Sequence, residues 1–320
     1  MATFTHLSAD DAAVIAAAAG LGGVTAVTPI AAGTINSNFA FTTATGRWFV
    51  RVNEGKRVDD VAWEAALVAR LAAAGLATPP PRTIDGRPWL EHRGLLVSVF
   101  PWVVGAIRPP DDVTAADAAT LGAALGRLHR VAADHPGRPG IYRWADIVAR
   151  LRGLDPATAP ALAPALATLA PVVAAVDGAA AVRAAAGQGI IHGDLFRDNV
   201  LWRGPALVAL LDFEQAATGS LVYDVAVAVN DWCWDGARVD PARAQALVAG
   251  HRAVIGWSAA DRAAFAWELT AAAVRFTVTR ITDVYLRQVD NPDKDYRAFL
   301  ARVAWWRSPV GSRLSEMLAG

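Results

Sequence analysis

The chain has 320 residues, of which 54% are hydrophobic and 19% charged, and 30 Lys and Arg residues balance 30 Asp and Glu residues. Such a composition describes a soluble globular chain, long enough for one large domain or two lobes, and it excludes a disordered one. Because the chain has no basic excess and a single cysteine, Cys233, we expect a small-molecule partner, no nucleic-acid or membrane partner, no thiolate metal cluster and a cytoplasmic location.

The first part of the chain predicts a helix followed by strands. Ser8 and Asp11 form a capping box for an alanine-rich helix, and this N-terminus lacks the basic start and leucine-rich core of a secretion signal. The alternating β-branched and aromatic residues that follow predict strands around a turn at Thr45-Gly46.

A second helix and a further strand complete the first hundred residues. The helix runs without a breaker from Val61 to Ala74, with Asp59 or Asp60 as its cap and Gly75 as its left-handed end. An apolar strand then ends near Phe100. This part of the sequence is therefore α+β.

Helical patterns dominate the remainder of the chain. The apolar stretch Pro156–Val176 contains four prolines, which favour short packed helices over a membrane span, and the helical period returns from residue 221 to the end. The sequence therefore predicts a small sheet-bearing N-terminal lobe, residues 1–100, and a larger, mainly helical lobe, residues 101–320.

Ionisable groups are concentrated in one polar loop, HGDLFRDNVLW, residues 192–202. Asp194 and Asn199 lie five positions apart, and Asp212 follows an apolar strand thirteen positions after Asn199. An amide and a carboxylate facing each other across a hairpin suit Mg²⁺, which needs few protein oxygens when phosphates and water complete its shell. The remaining carboxylate, that of Asp194, suits a group that orients a hydroxyl and accepts its proton in phosphoryl transfer.

The same segments resemble a known superfamily. HGDLFRDNVLW, LLDFEQA and LVYDVAVAVNDW are similar to the aminoglycoside phosphotransferase and choline kinase branch of the protein-kinase-like superfamily. With IAAGTINSNFAF, YDVAVAVNDWCW and RFTVTRITDVYL, they most resemble the bacterial homoserine kinases built on this fold. The resemblance implies a two-lobed kinase-like fold and ATP- and Mg²⁺-dependent phosphorylation of the homoserine hydroxyl, a step towards threonine.

The resemblance implies a role for each polar residue. Asp194 becomes the catalytic base, and Asn199 and Asp212 the metal ligands. His192 has two interpretations, of which bracing the loop is favoured over proton transfer. Asp224 either braces the catalytic loop or caps its own helix, and the sequence does not decide between these roles.

Nucleotide phosphates are expected to bind near the first strands. The turn at residues 31–38 contains one glycine, and it can direct backbone N–H groups and polar side chains towards phosphates. Arg51 stands where kinases commonly carry a lysine, and Lys56 is a second candidate. Glu64 lies on the apolar stripe of its helix, which predicts an inward ion pair with Arg51. The predicted nucleotide-binding residues are Gly33, Thr34, Asn36, Ser37, Asn38, Arg51 and Glu64.

An amino-acid acceptor needs an acid for its ammonium group and a base for its carboxylate. Asp231, together with Arg275 or Arg280, meets this need. In the alternative interpretation, these two arginines pair with Glu268 or Asp283 across the helix surface.

Other acceptors and one other class of protein stay open. Residues 221–320 contain eleven acidic against twelve basic residues, without the carboxylate surplus expected around a polycationic aminoglycoside. Glu214 departs from the aromatic residue that homoserine kinases often have at this position, so a choline, ethanolamine or antibiotic kinase stays possible. Arg51 in place of lysine leaves open a nucleotide-binding pseudokinase. The oligomeric state is not predicted.

Overall fold

The computed structural model describes residues 5–30, 36–157, 159–289 and 291–320. The chain divides into two compact units. The first unit comprises Met1–Ala106 and Leu201–Leu211, and the second comprises Ile107–Val200 and Asp212–Gly320. Within the first unit, the returning segment is held by main-chain hydrogen bonds between Ala106 and Trp202. The boundaries predicted from the sequence, 1–100 and 101–320, do not assign Leu201–Leu211 to the first unit.

A five-stranded antiparallel sheet forms the centre of the first unit, in the order β1-β2-β3-β5-β4. The hairpin predicted around Thr45-Gly46 is confirmed, since β2 pairs with β3 across this turn. The strands are β1 Val24–Ile30, β2 Ser37–Thr43, β3 Gly46–Asn53, β4 Leu90–His92 and β5 Leu95–Pro101.

One face of this sheet carries the hydrophobic core of the first unit. Alternate residues of the central strands, such as Phe41 and Val50, pack in one cluster with Ile15 of helix α1, Ala9–Ala18. The predicted capping box of this helix is confirmed by the hydrogen bonds between Ser8 and Asp11.

Helix α2, Val58–Ala73, ends as predicted, because Gly75 adopts a φ of 79°. The predicted cap is wrong. The cap is Arg57, and Asp60 lies in the first turn, where its carboxylate accepts a hydrogen bond from the Arg57 N–H at 3.4 Å. Acidic side chains in a first turn are stabilised by the helix dipole, which explains their presence without a capping role.

The second unit is mainly helical. Helix α9 is its centre, since its residues are buried along most of its length, and it packs against α7 and α10. Its helices are α3 Ala115–Val131, α4 Trp144–Arg152, α5 Ala163–Gly178, α6 Ala180–Ala184, α7 Leu221–Trp232, α8 Pro241–Val254, α9 Ala259–Arg280, α10 Tyr296–Trp306 and α11 Pro309–Ala319.

Two short antiparallel pairings frame the polar loops. Strand β6, Gln188–Ile191, pairs with β9, Ala217–Ser220. Strands β7, Val200–Arg203, and β8, Ala206–Leu210, form a two-stranded sheet. The polar loop that carries Asp194 therefore begins at the end of β6 and leads into β7.

Helices α3 and α8 cross at very short range because glycines lie at the crossing. A Cβ atom on Gly122 would lie 2.0 Å from the main-chain oxygen of Leu247, and one on Gly250 would lie 2.3 Å from that of Ala119. Both distances are far below van der Waals contact, so the crossing requires glycine at both positions.

Among the described residues, one helical stretch, Pro160–Gly178, is long and apolar enough to cross a membrane by length and composition. A single such stretch is weak evidence, because core helices of soluble proteins pass the same criterion. The prediction of short helices is correct only for Pro160–Leu162, a short 3-10 helix, because the stretch then forms one 16-residue helix, α5, which continues through Pro171.

Candidate active site

The main chain of the polar loop is anchored to a buried carboxylate. The N–H groups of His192 and Gly193 donate to Asp224 Oδ2 and Oδ1 at 2.7 and 2.8 Å. Asp224 lies in α7 and is fully buried. The helix is capped by Ser220, whose side chain accepts a hydrogen bond from the Tyr223 N–H. Asp224 therefore braces the loop and does not cap its helix.

A buried chain of hydrogen bonds, which we call the histidine chain, continues from Asp224. The chain links Asp224 Oδ2 to His129 Nε2 at 2.9 Å, His129 Nδ1 to His251 Nε2 at 3.0 Å, and His251 Nδ1 to Trp257 Nε1 at 3.0 Å. Because an indole N–H can only donate, His251 Nδ1 is an acceptor and its Nε2 carries the proton. His129 Nδ1 must then accept, and His129 Nε2 donates to the carboxylate.

Burial lowers the pKa of His251 to about 3, so this ring is neutral at ordinary pH. Burial raises the pKa of Asp224, but its hydrogen bond with His129 and the nearby histidines lower it further, and the net shift is downward. The histidine chain therefore holds an ionised carboxylate against the two main-chain N–H groups of the loop.

His192 supports the loop from within. It is fully buried, its Nδ1 accepts a hydrogen bond from the Asp194 N–H at 3.3 Å, and its ring packs on Phe213 at 4.7 Å. These contacts favour the bracing interpretation of His192.

The carboxylate of Asp194 is held on one side. Gln215 Nε2 donates to its Oδ2 at 2.8 Å, and Arg275 Nη1 lies 3.8 Å from its Oδ1. Burial raises the pKa of Asp194 to about 6, although the charge of Arg275 opposes the shift, and Asp198 adds to it. A carboxylate of this kind is ionised at neutral pH and remains basic enough to accept a proton.

The two predicted metal ligands lie at the open end of the β7–β8 hairpin, where Asn199 precedes β7 and Asp212 follows β8. The Asn199 amide donates to the Asp194 main-chain oxygen at 2.8 Å, which directs its own carbonyl oxygen away from that bond. Asp212 has a φ of 59°, a backbone conformation that is rare outside glycine and often found at functional sites.

No cluster of three or more His, Cys, Asp or Glu side chains suited to a metal occurs within residues 5–30, 36–157, 159–289 and 291–320. An all-protein cage is therefore missing from the described part of the chain. One amide oxygen and one carboxylate nevertheless fit an ion that also takes oxygens from phosphates and water.

Asp231 does not have the position predicted for it. Both of its oxygens accept from Arg197, at 2.8 Å from the main-chain N–H, 3.0 Å from Nε and 3.2 Å from Nη2. Its neighbour Asn230 is fully buried, donates to the main-chain oxygens of Ala226 and Leu269, and accepts from Trp306. Asp231 therefore holds the loop through Arg197, and these contacts give no support to the prediction that it binds the acceptor.

The alternative pairing predicted for Arg275 and Arg280 is wrong. Glu268 pairs with Arg183 at 3.0 Å, and Asp283 pairs with Arg150 at 2.9 Å. Both acids therefore already have partners in other parts of the second unit.

Arg275 is enclosed beside Asp194. It lies 4.4 Å from the ring centre of Tyr142 and 3.7 Å from that of Phe276, and 3% of its surface is exposed. Its Nη2 donates to Gln215 Oε1. Arg275 is therefore fixed by two aromatic rings and by Gln215, the residue that holds the Asp194 carboxylate.

Further charges lie around the same loop. Arg280 donates to the main-chain oxygen of Asp295 at 3.1 Å. Burial lowers its pKa, and the charges of Asp231, Asp194 and Asp198 oppose that shift. Burial and the charge of Asp231 raise the pKa of Asp198, and the charge of Lys294 opposes that rise. Acidic and basic groups therefore lie close enough around the loop to affect one another's pKa values.

In the first unit, the predicted pair of Arg51 and Glu64 is present. Arg51 Nη2 lies 2.8 Å from Glu64 Oε1, and Lys56 Nζ lies 3.6 Å from the other carboxylate oxygen. Arg51 also stands opposite Asn38 on β2 and Ser98 on β5 in the strand register. Three adjacent strands thus present a row of polar side chains on the face away from the core.

The predicted phosphate turn is only partly described. Gly33 and Thr34 lie outside the described residues. The side chains of Asn36 and Ser37 are buried and bind Glu54: Asn36 Oδ1 accepts from its main-chain N–H at 3.2 Å, and Ser37 Oγ donates to its carboxylate at 2.7 Å. These two side chains therefore hold the chain internally and do not lie open to a ligand.

Sequence reasoning missed several residues of this site. Gln215 follows Asp212 by three positions, and its place in the LLDFEQA segment was the available signal. His129 and His251 are separated by 122 positions, and no local pattern relates them to the loop. Lys294 is one of two lysines in the chain, but this rarity did not indicate a role for it.

A family model described as a phosphotransferase enzyme family, APH, matches residues 26–258. The homoserine kinase of Acidiphilium cryptum is 33% identical over 292 residues, which cover 88% of this chain and 89% of that protein. The homoserine kinase of Neisseria meningitidis serogroup B is 30% identical over 93% of this chain and 97% of its own length.

Solved structures show the same fold at low identity. A spectinomycin phosphotransferase bound to ADP and spectinomycin has a TM-score of 0.68 and 14% identity, with 98% of both chains covered. An amicoumacin kinase in complex with AMP-PNP, Ca²⁺ and Ami has a TM-score of 0.67 and 14% identity, covering 92% of this chain and 87% of its own. A choline kinase from Cryptosporidium parvum has a TM-score of 0.61 and 13% identity, covering 90% and 91%.

The sheet and the helical unit have a kinase-like fold, and the family model and the homoserine kinase relatives identify a phosphotransferase that acts on an alcohol acceptor. The chain belongs to the APH family of phosphotransferase enzymes. The α+β kinase-like fold expected from the sequence is thereby confirmed, as is its resemblance to homoserine kinases.

Proposed function

We propose that the protein transfers the terminal phosphoryl group of ATP to the hydroxyl of a small amino alcohol, with L-homoserine as the acceptor and threonine biosynthesis as the pathway. One observation carries the reaction: the Asp194 carboxylate is fixed on a braced loop and has one oxygen, Oδ2, bound to Gln215. The identity of about 33% to homoserine kinases over 88% of the chain supports the acceptor.

The nucleotide and metal belong to this proposal. Two solved relatives of the fold contain AMP-PNP with Ca²⁺ and ADP, and the donor set of Asn199 and Asp212 fits Mg²⁺. These two residues would hold the ion, which neutralises charge on the phosphates when bound. In the first unit, Arg51 would bind phosphate oxygens, and Glu64 fixes its direction.

In the proposed reaction, Asp194 accepts the proton of the acceptor hydroxyl. The acceptor O–H bond breaks as its oxygen forms a bond to the terminal phosphorus and the bond from that phosphorus to the ADP oxygen breaks. The proton passes to the Asp194 carboxylate. Because the pKa of this carboxyl is raised to about 6 by burial, it accepts the proton more readily than an exposed aspartate would.

A zwitterionic acceptor matches the mixed charges around the loop. We assign the substrate carboxylate to Arg280 and Lys294, and the ammonium group to Asp198, whose pKa is raised by burial and by Asp231. Asp198 replaces Asp231 in this role, because Arg197 occupies both oxygens of Asp231.

The test is ADP release by the purified protein with Mg²⁺ and ATP, using homoserine, serine, choline, ethanolamine and an aminoglycoside as acceptors. We expect release to depend on homoserine and to be lost in Asp194→Asn. Asp111→Asn, at an exposed aspartate, is the matched control and should retain activity. Release with another acceptor would keep the reaction and reject homoserine, whereas release that no acceptor increases would reject the proposal.

A further inference from the structure

Asp194 has two carboxylate oxygens, and the structure treats them differently. Oδ2 accepts a hydrogen bond from Gln215 Nε2 at 2.8 Å. Oδ1 lies 3.8 Å from Arg275 Nη1, which is too long for a hydrogen bond but close enough for attraction. Oδ2 is therefore occupied by the amide, whereas Oδ1 accepts no hydrogen bond from the residues that the structure describes.

The direction of the Gln215 amide is fixed by Arg275. A guanidinium group can only donate hydrogen bonds, so the oxygen of the amide must face Arg275 Nη2, with which it is paired. The amide nitrogen must then face Asp194. A carboxylate accepts such a bond, so both ends of the glutamine have the correct partner.

Arg275 is itself unable to turn away. The rings of Tyr142 and Phe276 lie 4.4 and 3.7 Å from its guanidinium carbon, and its side chain is 4% exposed. Since this arginine is clamped between two aromatic faces, it fixes the glutamine amide.

A close main-chain approach keeps Gln215 beside the loop. Gly193 has a φ of 77°, and a Cβ atom there would lie 3.1 Å from the main-chain oxygen of Gln215. A side chain at this position would combine backbone strain with a tight contact. The glycine of the HGD sequence thus allows the Gln215 segment to lie directly against the loop that carries Asp194.

We propose that Gln215, oriented by Arg275, is a positioning residue that selects Oδ1 of Asp194 as the atom that receives the acceptor proton. This inference rests on the proposed function. Without the amide, the carboxylate can rotate, and its two oxygens exchange places. Arg275, which the sequence assigned to the acceptor carboxylate, acts instead through Gln215 and the field at Oδ1.

The test compares Gln215→Leu and Gln215→Glu with the wild-type enzyme. Leucine keeps most of the volume without the amide, and glutamate keeps the bond to Arg275 but cannot donate to an ionised Asp194. We expect kcat to fall about 10- to 100-fold in both variants, the effect of a misplaced reacting group, with the KM values for ATP and acceptor changed less than about threefold. We also expect more ATP hydrolysis per phosphorylated acceptor, because a rotating carboxylate orients water as readily as the acceptor.

Gln245→Leu is the matched control, since this glutamine lies exposed on α8 and donates to Met317 Sδ. Unchanged kcat in Gln215→Leu, or in Gln215→Glu if the leucine variant does not fold, would overturn the inference. A purely structural role predicts lower unfolding stability with normal kcat and normal coupling per folded molecule. Inactivity of the wild-type protein towards every acceptor would overturn the proposed function instead.

A spectroscopic measurement tests the geometry without turnover. The chain has four glutamines, Gln188, Gln215, Gln245 and Gln288, so selective ¹⁵N labelling gives four side-chain amide signals. The signal lost in Gln215→Leu should shift in both Asp194→Asn and Arg275→Lys. If it shifts in neither variant, the hydrogen-bonded arrangement is refuted.

Discussion

The histidine chain makes a quantitative prediction for His129→Leu. The substitution removes one of three hydrogen bonds to Asp224, whose other two come from the loop N–H groups at 2.7 and 2.8 Å. It also removes His129 Nδ1, the acceptor that lies 3.0 Å from the Nε2–H group of His251. His251 is only 1% exposed, so water cannot replace this acceptor.

Both the lost hydrogen bond to Asp224 and the unpaired donor of His251 are buried, so water does not reduce their effect on the free energy of unfolding. A hydrogen bond to a charged group contributes about 1.5–3 kcal/mol, and a buried donor left without a partner costs about 1–3 kcal/mol. The free energy of unfolding should therefore fall by roughly 2.5–6 kcal/mol, a large part of the 5–15 kcal/mol typical of a domain. The turnover number should fall as well, because Asp224 would hold the loop less firmly.

Urea denaturation followed by circular dichroism measures this loss, and we expect the midpoint to fall by about 1 M or more. His6→Leu, at an exposed histidine of the first unit, is the control and should leave the midpoint almost unchanged. A midpoint for His129→Leu equal to that of this control would refute the hydrogen-bond assignment.

Three further predictions follow from other contacts. Because the pKa of Asp194 is raised to about 6 and its ionised form is the base, kcat should be constant above neutral pH and should fall about tenfold per unit once the pH is well below 6; a flat profile down to pH 5 would contradict this role. Glu64→Gln removes the charge that aligns Arg51, so we expect a several-fold higher KM for ATP in steady-state assays with the acceptor KM unchanged, and an equal rise in both would show general distortion. Gly122→Ala places a Cβ atom 2.0 Å from a main-chain oxygen of α8. Overpacking of this kind should lower the free energy of unfolding by about 1–3 kcal/mol in urea titrations. A variant as stable as the wild type would show that α3 and α8 cross at a larger distance.

Local patterns in the sequence were sufficient for much of the first unit. The helical period placed Glu64 on the inward face of α2, and the 2.8 Å pair with Arg51 confirms that prediction. The same reasoning misplaced the start of this helix, because aspartates at Asp59 and Asp60 suit both a cap and a first turn. Periodicity therefore identifies the face of a helix more reliably than its end.

The contacts that hold the Asp194 loop cannot be predicted from local sequence patterns. His129 and His251 reach Asp224 from α3 and α8, and their meeting depends on how these helices cross. Asp231 shows the opposite error: its place in the helix suggested contact with a substrate, but the loop supplies Arg197 as its partner. Both cases depend on tertiary contacts between segments that are distant in sequence.

³¹P NMR of a reaction containing homoserine, ATP and Mg²⁺, with Asp194→Asn run in parallel, tests whether the protein phosphorylates homoserine with Asp194 as the base. We expect a phosphomonoester signal that grows in step with ADP in the wild-type reaction and is absent in the variant. No new ester in the wild-type reaction, or an ester formed equally fast by Asp194→Asn, would contradict it.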